Sequence, residues 1–316
     1  MASRWLEVGR LGQSVWYDNV ARPALRSGLL ARIVAEDGVT GGTSNPSIFA
    51  KAVMESDLYD DDIREAGGDD PASVFQQLAV ADIREACDLL RPVFDRTGGS
   101  DGYISLEVEA DLAFDADGTV ARAHLLRGLV DRPNVMIKVP GTEPGVDAFR
   151  RLTADGLNVN VTLLFSVGRY RDVAEAYVAG LEERAARGED VRDAASVASF
   201  FVSSIDSKVD ALLPEGSPLR GRTAVANAKR AYADVFQQVF AGDRWEALAA
   251  LGARPQKALW ASTSTKNPSY PPTLYVDPLI GQGLGFIRQC LVRIAFHQQH
   301  RDRLRGVGSR GRGGRD

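Results

Sequence analysis

The sequence predicts an α/β protein folded as one (β/α)8 barrel, the TIM barrel, with an atypical C-terminal end. Its 316 residues, 44% hydrophobic and 25% charged with a formal net charge of −4, have an ordinary globular composition at a size one barrel fills. Short apolar runs alternate with longer segments of helical period, the rhythm of a parallel sheet with crossover helices. A doubly wound open sheet shares that rhythm but puts a Gly-rich phosphate turn after its first strand. The turn here, Asp18-Asn-Val-Ala-Arg22, is not one.

The first strand is expected near Ser14–Asp18, with a helix over Ala21–Ile33 behind it. The second, near Gly38–Thr43, delivers Thr43 and Asn45 after Gly41, and Pro46 opens a helix. Pro71 opens another, amphipathic over Ala72–Phe94. The third strand, near Tyr103–Val108, puts Ser105 and Glu107 on one face, and a helix over Thr119–Val130 follows. Pro133 leads into the fourth, near Val135–Val139, where Met136 and Lys138 share a face and Pro140 and Gly141 close the strand. The fifth, near Leu157–Leu163, carries Asn158, Asn160 and Thr162 on one face and Val159, Val161 and Leu163 on the other. After a helix over Tyr170–Arg187, the sixth, near Ser196–Val202, offers Ser199, with Ser203 just beyond. A helix over Arg222–Val239 precedes the seventh, near Lys257–Ala261, and the eighth is expected near Thr273–Val276.

One barrel domain is therefore expected over residues 1–280, with a divergent segment over 281–316. Residues 301–316 hold six Arg and two Asp among glycines, the composition of a disordered, solvated tail rather than of a nucleic-acid arm. Cys87 and Cys290 make neither a disulfide framework nor a metal-ligand spacing. No apolar run approaches the roughly 18 residues that span a bilayer, and Met1–Arg10 carries no signal-peptide core. The expectation is a cytoplasmic protein with no membrane or nucleic-acid partner; monomer and homodimer are both open.

Polar residues recur near the ends of five expected strands, where a filled barrel is mostly branched and apolar. Buried polar groups need partners, so they imply a polar pocket. Lys138 narrows its chemistry. Only six of the 38 basic residues are Lys, yet one lies in the middle of an apolar strand. Desolvation by Val135, Met136, Ile137 and Val139 is expected to lower its pKa and supply a neutral, nucleophilic amine. Such an amine attacks a ketone to form an iminium, an electron sink for cleavage of the adjacent C–C bond. The alternative is a buried pair with Glu107 or Asp18 for structure alone, which rarely repays its desolvation. Lys257, at a strand entrance, reads as an exposed charge.

Six blocks carry a family resemblance: Ser14-Val-Trp-Tyr-Asp18, Gly38-Val-Thr-Gly-Gly-Thr-Ser-Asn-Pro-Ser-Ile-Phe49, Ile104-Ser-Leu-Glu-Val-Glu109, Val135-Met-Ile-Lys-Val-Pro-Gly-Thr142, Gly156-Leu-Asn-Val-Asn-Val-Thr-Leu-Leu-Phe-Ser166 and Lys257-Ala-Leu-Trp-Ala-Ser-Thr-Ser-Thr-Lys-Asn267. In order and spacing they resemble the transaldolases, in the bacterial branch with longer chains. The resemblance implies a class I aldolase-type barrel of the pentose phosphate pathway, working without metal or organic cofactor on sugar-phosphate substrates. It would interconvert sedoheptulose 7-phosphate plus glyceraldehyde 3-phosphate with erythrose 4-phosphate plus fructose 6-phosphate. By the same resemblance Lys138 is the Schiff-base lysine and Asp18 exchanges the proton of the substrate C4 hydroxyl. Glu107 and Thr162 handle the water of carbinolamine formation and hydrolysis. Asn45 and Asn160 hold hydroxyls of the three-carbon unit, Ser199 lines the pocket and Lys266 binds phosphate. Glu109 lies past the strand end. Asp18 has a structural alternative as cap of the Ala21–Ile33 helix, and Thr43 and Ser44 as caps of the helix at Pro46.

The chain departs from that pattern in two places. Ser204 stands where the family carries a phosphate-binding Arg, so weaker phosphate affinity is expected, with Lys208 or Arg169 nearby in sequence. Beyond Ile280 the chain reads Gln282-Gly-Leu-Gly-Phe286 and then the Arg-rich tail, as from a different reading frame of a GC-rich gene or a divergent end. An absent final helix would uncover apolar barrel surface. His297 and His300 read as a solvated face, His124 as a helix-surface residue, and the Gly281-x-Gly283-x-Gly285 run lacks dinucleotide context. Two alternatives stand beside the transferase: a simple aldolase on the same lysine, and a truncated, inactive barrel acting as an interaction protein.

Overall fold

The computed structural model describes residues 3–67, 70–281 and 284–288. Eight strands, β1 (Ser14–Tyr17), β2 (Gly41–Thr43), β3 (Ile104–Glu107), β4 (Val135–Pro140), β5 (Val159–Leu164), β6 (Ser196–Phe201), β7 (Lys257–Ala261) and β8 (Gly285–Arg288), close into a barrel in chain order. Every neighbouring pair is parallel, including β1 with β8. Crossover helices wrap the outside, chief among them Pro71–Arg96, Ala116–Val130, Glu143–Ala154 and Val167–Ala186.

Strand alternation divides the apolar residues into two cores. Val135, Ile137 and Val139 of β4, Val159 and Val161 of β5, and Ala198 and Phe200 of β6 pack outward in the main core with residues of the surrounding helices. Trp16, Met136, Val197, Leu259 and Ile287 form a smaller cluster in the barrel interior. A Cβ on Gly41 would lie 2.4 Å from the Trp16 indole, so this plug needs a glycine on the neighbouring strand. At the strand entrances Lys257 donates to Ser14 Oγ at 3.0 Å and to Ser100 O at 2.7 Å. It is thus a half-buried, hydrogen-bonded lysine rather than a free surface charge. The plug occupies the N-terminal half of the interior, and polar inward positions are left to the C-terminal mouth, where barrels of this kind place their chemistry.

Seven strands fall where expected, within a few residues at their ends. The eighth does not. Thr273–Val276 is a turn, in which Val276 N and Asp277 N both bond Thr273 O, while the strand that closes the barrel is Gly285–Arg288. Pro271 and Pro272 deprive the earlier segment of backbone donors. The barrel accordingly runs past the boundary expected at Ile280. The single helix expected over Ala21–Ile33 is two, Arg22–Arg26 and Leu29–Asp37, parted by Gly28 at φ 69°. The helix expected over Arg222–Val239 is interrupted by a π-helical turn at Tyr232–Phe236. Among the described residues no helix is long and apolar enough to cross a membrane. The expected tail at 301–316 and the pair His297 and His300 lie outside the described residues.

Candidate active site

Register sets the centre of the site. Glu107 on β3, Lys138 on β4 and Asn160 on β5 are consecutive cross-strand partners, so their side chains share the inward face at one level. Lys138 Nζ lies 2.9 Å from Glu107 Oε2, and the lysine is buried. The hydrocarbon expected to surround the amine is on the other face: Val135, Ile137 and Val139 pack outward. Strand neighbours in sequence point apart, so only Met136 of the four shares the interior with Lys138. The amine is set against a carboxylate, not among hydrocarbon.

Asn160 is held from both sides. It donates through Nδ2 to Ser105 Oγ at 3.0 Å and accepts at Oδ1 from Ser199 Oγ at 2.7 Å, and all three residues are buried. Ser105 is the anchor that sequence reasoning left out of the site; its face was legible, its partner was not. Thr162 pairs with Pro140, one inward level above Lys138 and Asn160. Its hydroxyl is buried with no protein partner among the described residues.

Asp18 follows the last residue of β1. Its carboxyl is pushed up to about 6 from 3.8, chiefly by burial; its own backbone N–H and the charges of Lys138 and Lys266 oppose the shift. Asp18 caps no helix: the N-cap of Arg22–Arg26 is Ala21, with no side-chain bond. The charges of Lys138 on β4 and Lys266 in the β7–β8 connection thus both reach Asp18 at the end of β1. Lys266 is exposed, as a residue meeting a solvated anion would be.

Asn45 has a second duty. Its Oδ1 accepts from Ser47 N at 3.0 Å and Ile48 N at 3.3 Å, capping the helix Pro46–Glu55. This is the cap assigned in sequence to Thr43 or Ser44, and it leaves the Asn45 amide N–H groups for a ligand. Glu109 is taken by Arg122, whose Nε donates to it at 2.7 Å. Ser204 joins a hydroxyl cluster in which Ser262 Oγ lies 3.3 Å from Ser204 Oγ and 2.9 Å from Ser203 Oγ. Arg169 is paired with Asp172 at 3.3 Å, and Lys208 is exposed in the last turn of Ser203–Val209. His124 sits on a helix surface, 2.9 Å from Asp155.

The chain matches known proteins along most of its length. The model of the transaldolase/fructose-6-phosphate aldolase family matches residues 15–284. A transaldolase of Thiobacillus denitrificans is 53% identical over 283 residues, covering 87% of this chain and 79% of that one. A transaldolase of Frankia alni is 49% identical over 290 residues, 90% of this chain and 78% of that one. A transaldolase of Trichodesmium erythraeum is 47% identical over 292 residues, 87% and 76% of the two chains.

Proposed function

The chain belongs to the transaldolase/fructose-6-phosphate aldolase family, and on that footing we propose that it transfers a dihydroxyacetone unit between sugar phosphates through a Schiff base on Lys138. The observation that supports this most is the Lys138–Glu107 contact of 2.9 Å beside a carboxyl, Asp18, pushed up to about 6. One carboxylate stands ready for the amine, and a second titrates near neutrality, as a proton exchanger should.

Glu107 takes the ammonium proton, and Lys138 Nζ attacks the C2 carbonyl of fructose 6-phosphate or sedoheptulose 7-phosphate. The carbinolamine loses water, with Glu107 and the Thr162 hydroxyl managing the proton and the leaving oxygen. Asp18 then removes the proton of the C4 hydroxyl. The C3–C4 bond breaks, its electron pair passes into the iminium, and the aldehyde leaves. The enamine attacks the incoming aldehyde, Asp18 returns its proton to the new hydroxyl, and water releases the product. Asn160, fixed by Ser105 and Ser199, and Asn45 hold the hydroxyls of the three-carbon unit, while Lys266 meets the phosphate.

The cytoplasm suits the buried free thiol of Cys87, whose pKa burial drives far upward and which is therefore inert. Borohydride reduction in the presence of fructose 6-phosphate, read by mass spectrometry, should place a three-carbon adduct on Lys138. Addition of erythrose 4-phosphate before reduction should discharge it into sedoheptulose 7-phosphate. An adduct on another lysine would overturn the assignment, and release of free dihydroxyacetone regardless of acceptor would make the enzyme an aldolase.

A further inference from the structure

Strand β5 carries one residue more than its partner can match. Val161 pairs with Ala198 and Leu164 with Phe200, so Thr162 and Leu163 together span what Ser199 alone spans on β6. The surplus is absorbed at Leu163, whose φ of 63° is left-handed, a conformation that side chains other than glycine rarely adopt. This bulge resets which way its neighbours face. Thr162 is buried on the inward face and Leu164 in the helix-side core, whereas the Leu163 side chain is 47% exposed. In an unbroken strand Thr162 and Leu164 would share one face and Leu163 would take the helix side; the regular alternation expected from sequence fails here.

Gly141 completes the arrangement from the next strand. Its N–H donates to Thr162 O at 2.7 Å. A Cβ at this position would lie 2.4 Å from Leu164 Cδ2 and 3.1 Å from Thr162 O. Leu164 thus takes up space that a side chain at residue 141 would need, and the Gly141 N–H holds the Thr162 backbone while the Thr162 hydroxyl is left without a protein partner among the described residues.

We propose that Leu163 is a positioning residue: its left-handed backbone, next to a Thr162 carbonyl held by the Gly141 N–H, keeps the Thr162 hydroxyl turned into the site and unpartnered, ready for the water of carbinolamine formation and hydrolysis. This rests on the role given to Thr162 above. The backbone, not the leucine side chain, does the positioning.

The test is a substitution series at Leu163 in the full chain, with kcat, KM for fructose 6-phosphate and the single-turnover rate of borohydride-trappable adduct as readouts. Asn and Gly accept left-handed φ, so Leu163→Asn and Leu163→Gly should keep kcat within about threefold of the parent. Leu163→Ile should lower kcat and the adduct rate about tenfold at unchanged KM, because its branched Cβ expels the residue from that conformation. If the Ile variant does not fold, Leu163→Ala against Leu163→Gly makes the same comparison, with Ala the slower by about threefold. An Ile (or Ala) variant as fast as Gly, or Asn and Gly variants as slow as Ile, would overturn the proposal while the parent still forms its adduct. A parent that forms no adduct overturns the reaction itself and this inference with it.

Discussion

Glu107 and Lys138 face each other across the β3–β4 ladder as register partners, and their side chains close to 2.9 Å inside the barrel. A pair so placed could serve stability or chemistry, and Glu107→Gln separates the two. Gln keeps the size and a hydrogen-bonding carbonyl but cannot take the amine proton. We expect kcat to fall by about 10²- to 10⁴-fold, the usual span for a lost general acid–base group, with KM for fructose 6-phosphate little changed. A purely structural pair would instead show a large loss in Tm at near-normal kcat, since a buried charge left without its partner is costly.

A second buried ion pair lies behind the site. Arg22, on the helix that follows Asp18, is buried with its Nε 2.9 Å from Asp82 Oδ1. Tyr59 donates to Asp82 Oδ2 at 2.8 Å, and Arg22 N donates to the same tyrosine at 2.8 Å. Asp82→Ala takes the shared carboxylate from Arg22 Nε and from the Tyr59 phenol, leaving Asp62 and Leu58 O on Nη1. It should cost about 3–5 kcal/mol, measured as a shift in urea midpoint at constant m. A loss under about 1 kcal/mol would mean that Asp62, the other carboxylate on Arg22, suffices alone.

Much of this architecture is legible because strand alternation holds along the strands outside the β5 bulge. Ser105 and Glu107, Met136 and Lys138, and Asn160 and Thr162 could be assigned to the inward face from sequence spacing alone. The same rule turns Val135, Ile137 and Val139 away from Lys138, so neighbours in sequence are not its surroundings in space. Two elements lay beyond any local signal. Thr273-Leu-Tyr-Val276 looks more like a strand than Gly285-Phe-Ile-Arg288, yet closure of the barrel depends on a seat between β7 and β1. Gly285 fits that seat because a Cβ there would lie 2.7 Å from Leu259 Cδ1. Position 163 holds no glycine or asparagine to advertise a left-handed turn; the turn goes with the extra residue that β5 carries between Val161 and Leu164. The cap falls on Asn45 rather than on Thr43 or Ser44 because the helix begins at Pro46 and the residue before it is in the extended N-cap position.

Ser204 permits a gain-of-function test. Family resemblance expects an Arg there, and the serine hydroxyl lies 3.3 Å from the Ser262 hydroxyl. A guanidinium would add a charge-assisted fork where a hydroxyl offers one weak bond. Ser204→Arg should lower KM for fructose 6-phosphate by roughly tenfold, the value of one hydrogen bond to a charged group, with kcat little changed. The gain should shrink with added salt. It should vanish for unphosphorylated fructose as donor. An unchanged or higher KM would show that Lys266 already satisfies the phosphate, or that position 204 does not face it.

Asp18 ties activity and stability to the same proton. With its carboxyl pushed up to about 6, cleavage needs the ionised form, so kcat/KM for fructose 6-phosphate should fall about tenfold per pH unit below 6. An ordinary aspartate would place that limb near pH 4. Condensation of a preformed enamine with an aldehyde needs the protonated form and should run the other way. The stability consequence has the opposite sign to that of a salt-bridged carboxylate. A carboxyl whose folded pKa is raised stabilises the fold below its unfolded value of 3.8, and that contribution is lost as pH rises through 6. The parent therefore carries a buried charge at pH 8 that Asp18→Asn does not. The variant should be more stable there by on the order of 2 kcal/mol, with the advantage fading toward pH 4, while its cleavage activity falls by about 10² or more. Urea midpoints of both proteins at pH 8 and pH 5, set beside the pH–rate profile, decide the matter. If Asp18→Asn is no more stable at pH 8 than at pH 5 relative to the parent, burial does not raise this carboxyl, and its part as the proton exchanger loses its physical basis.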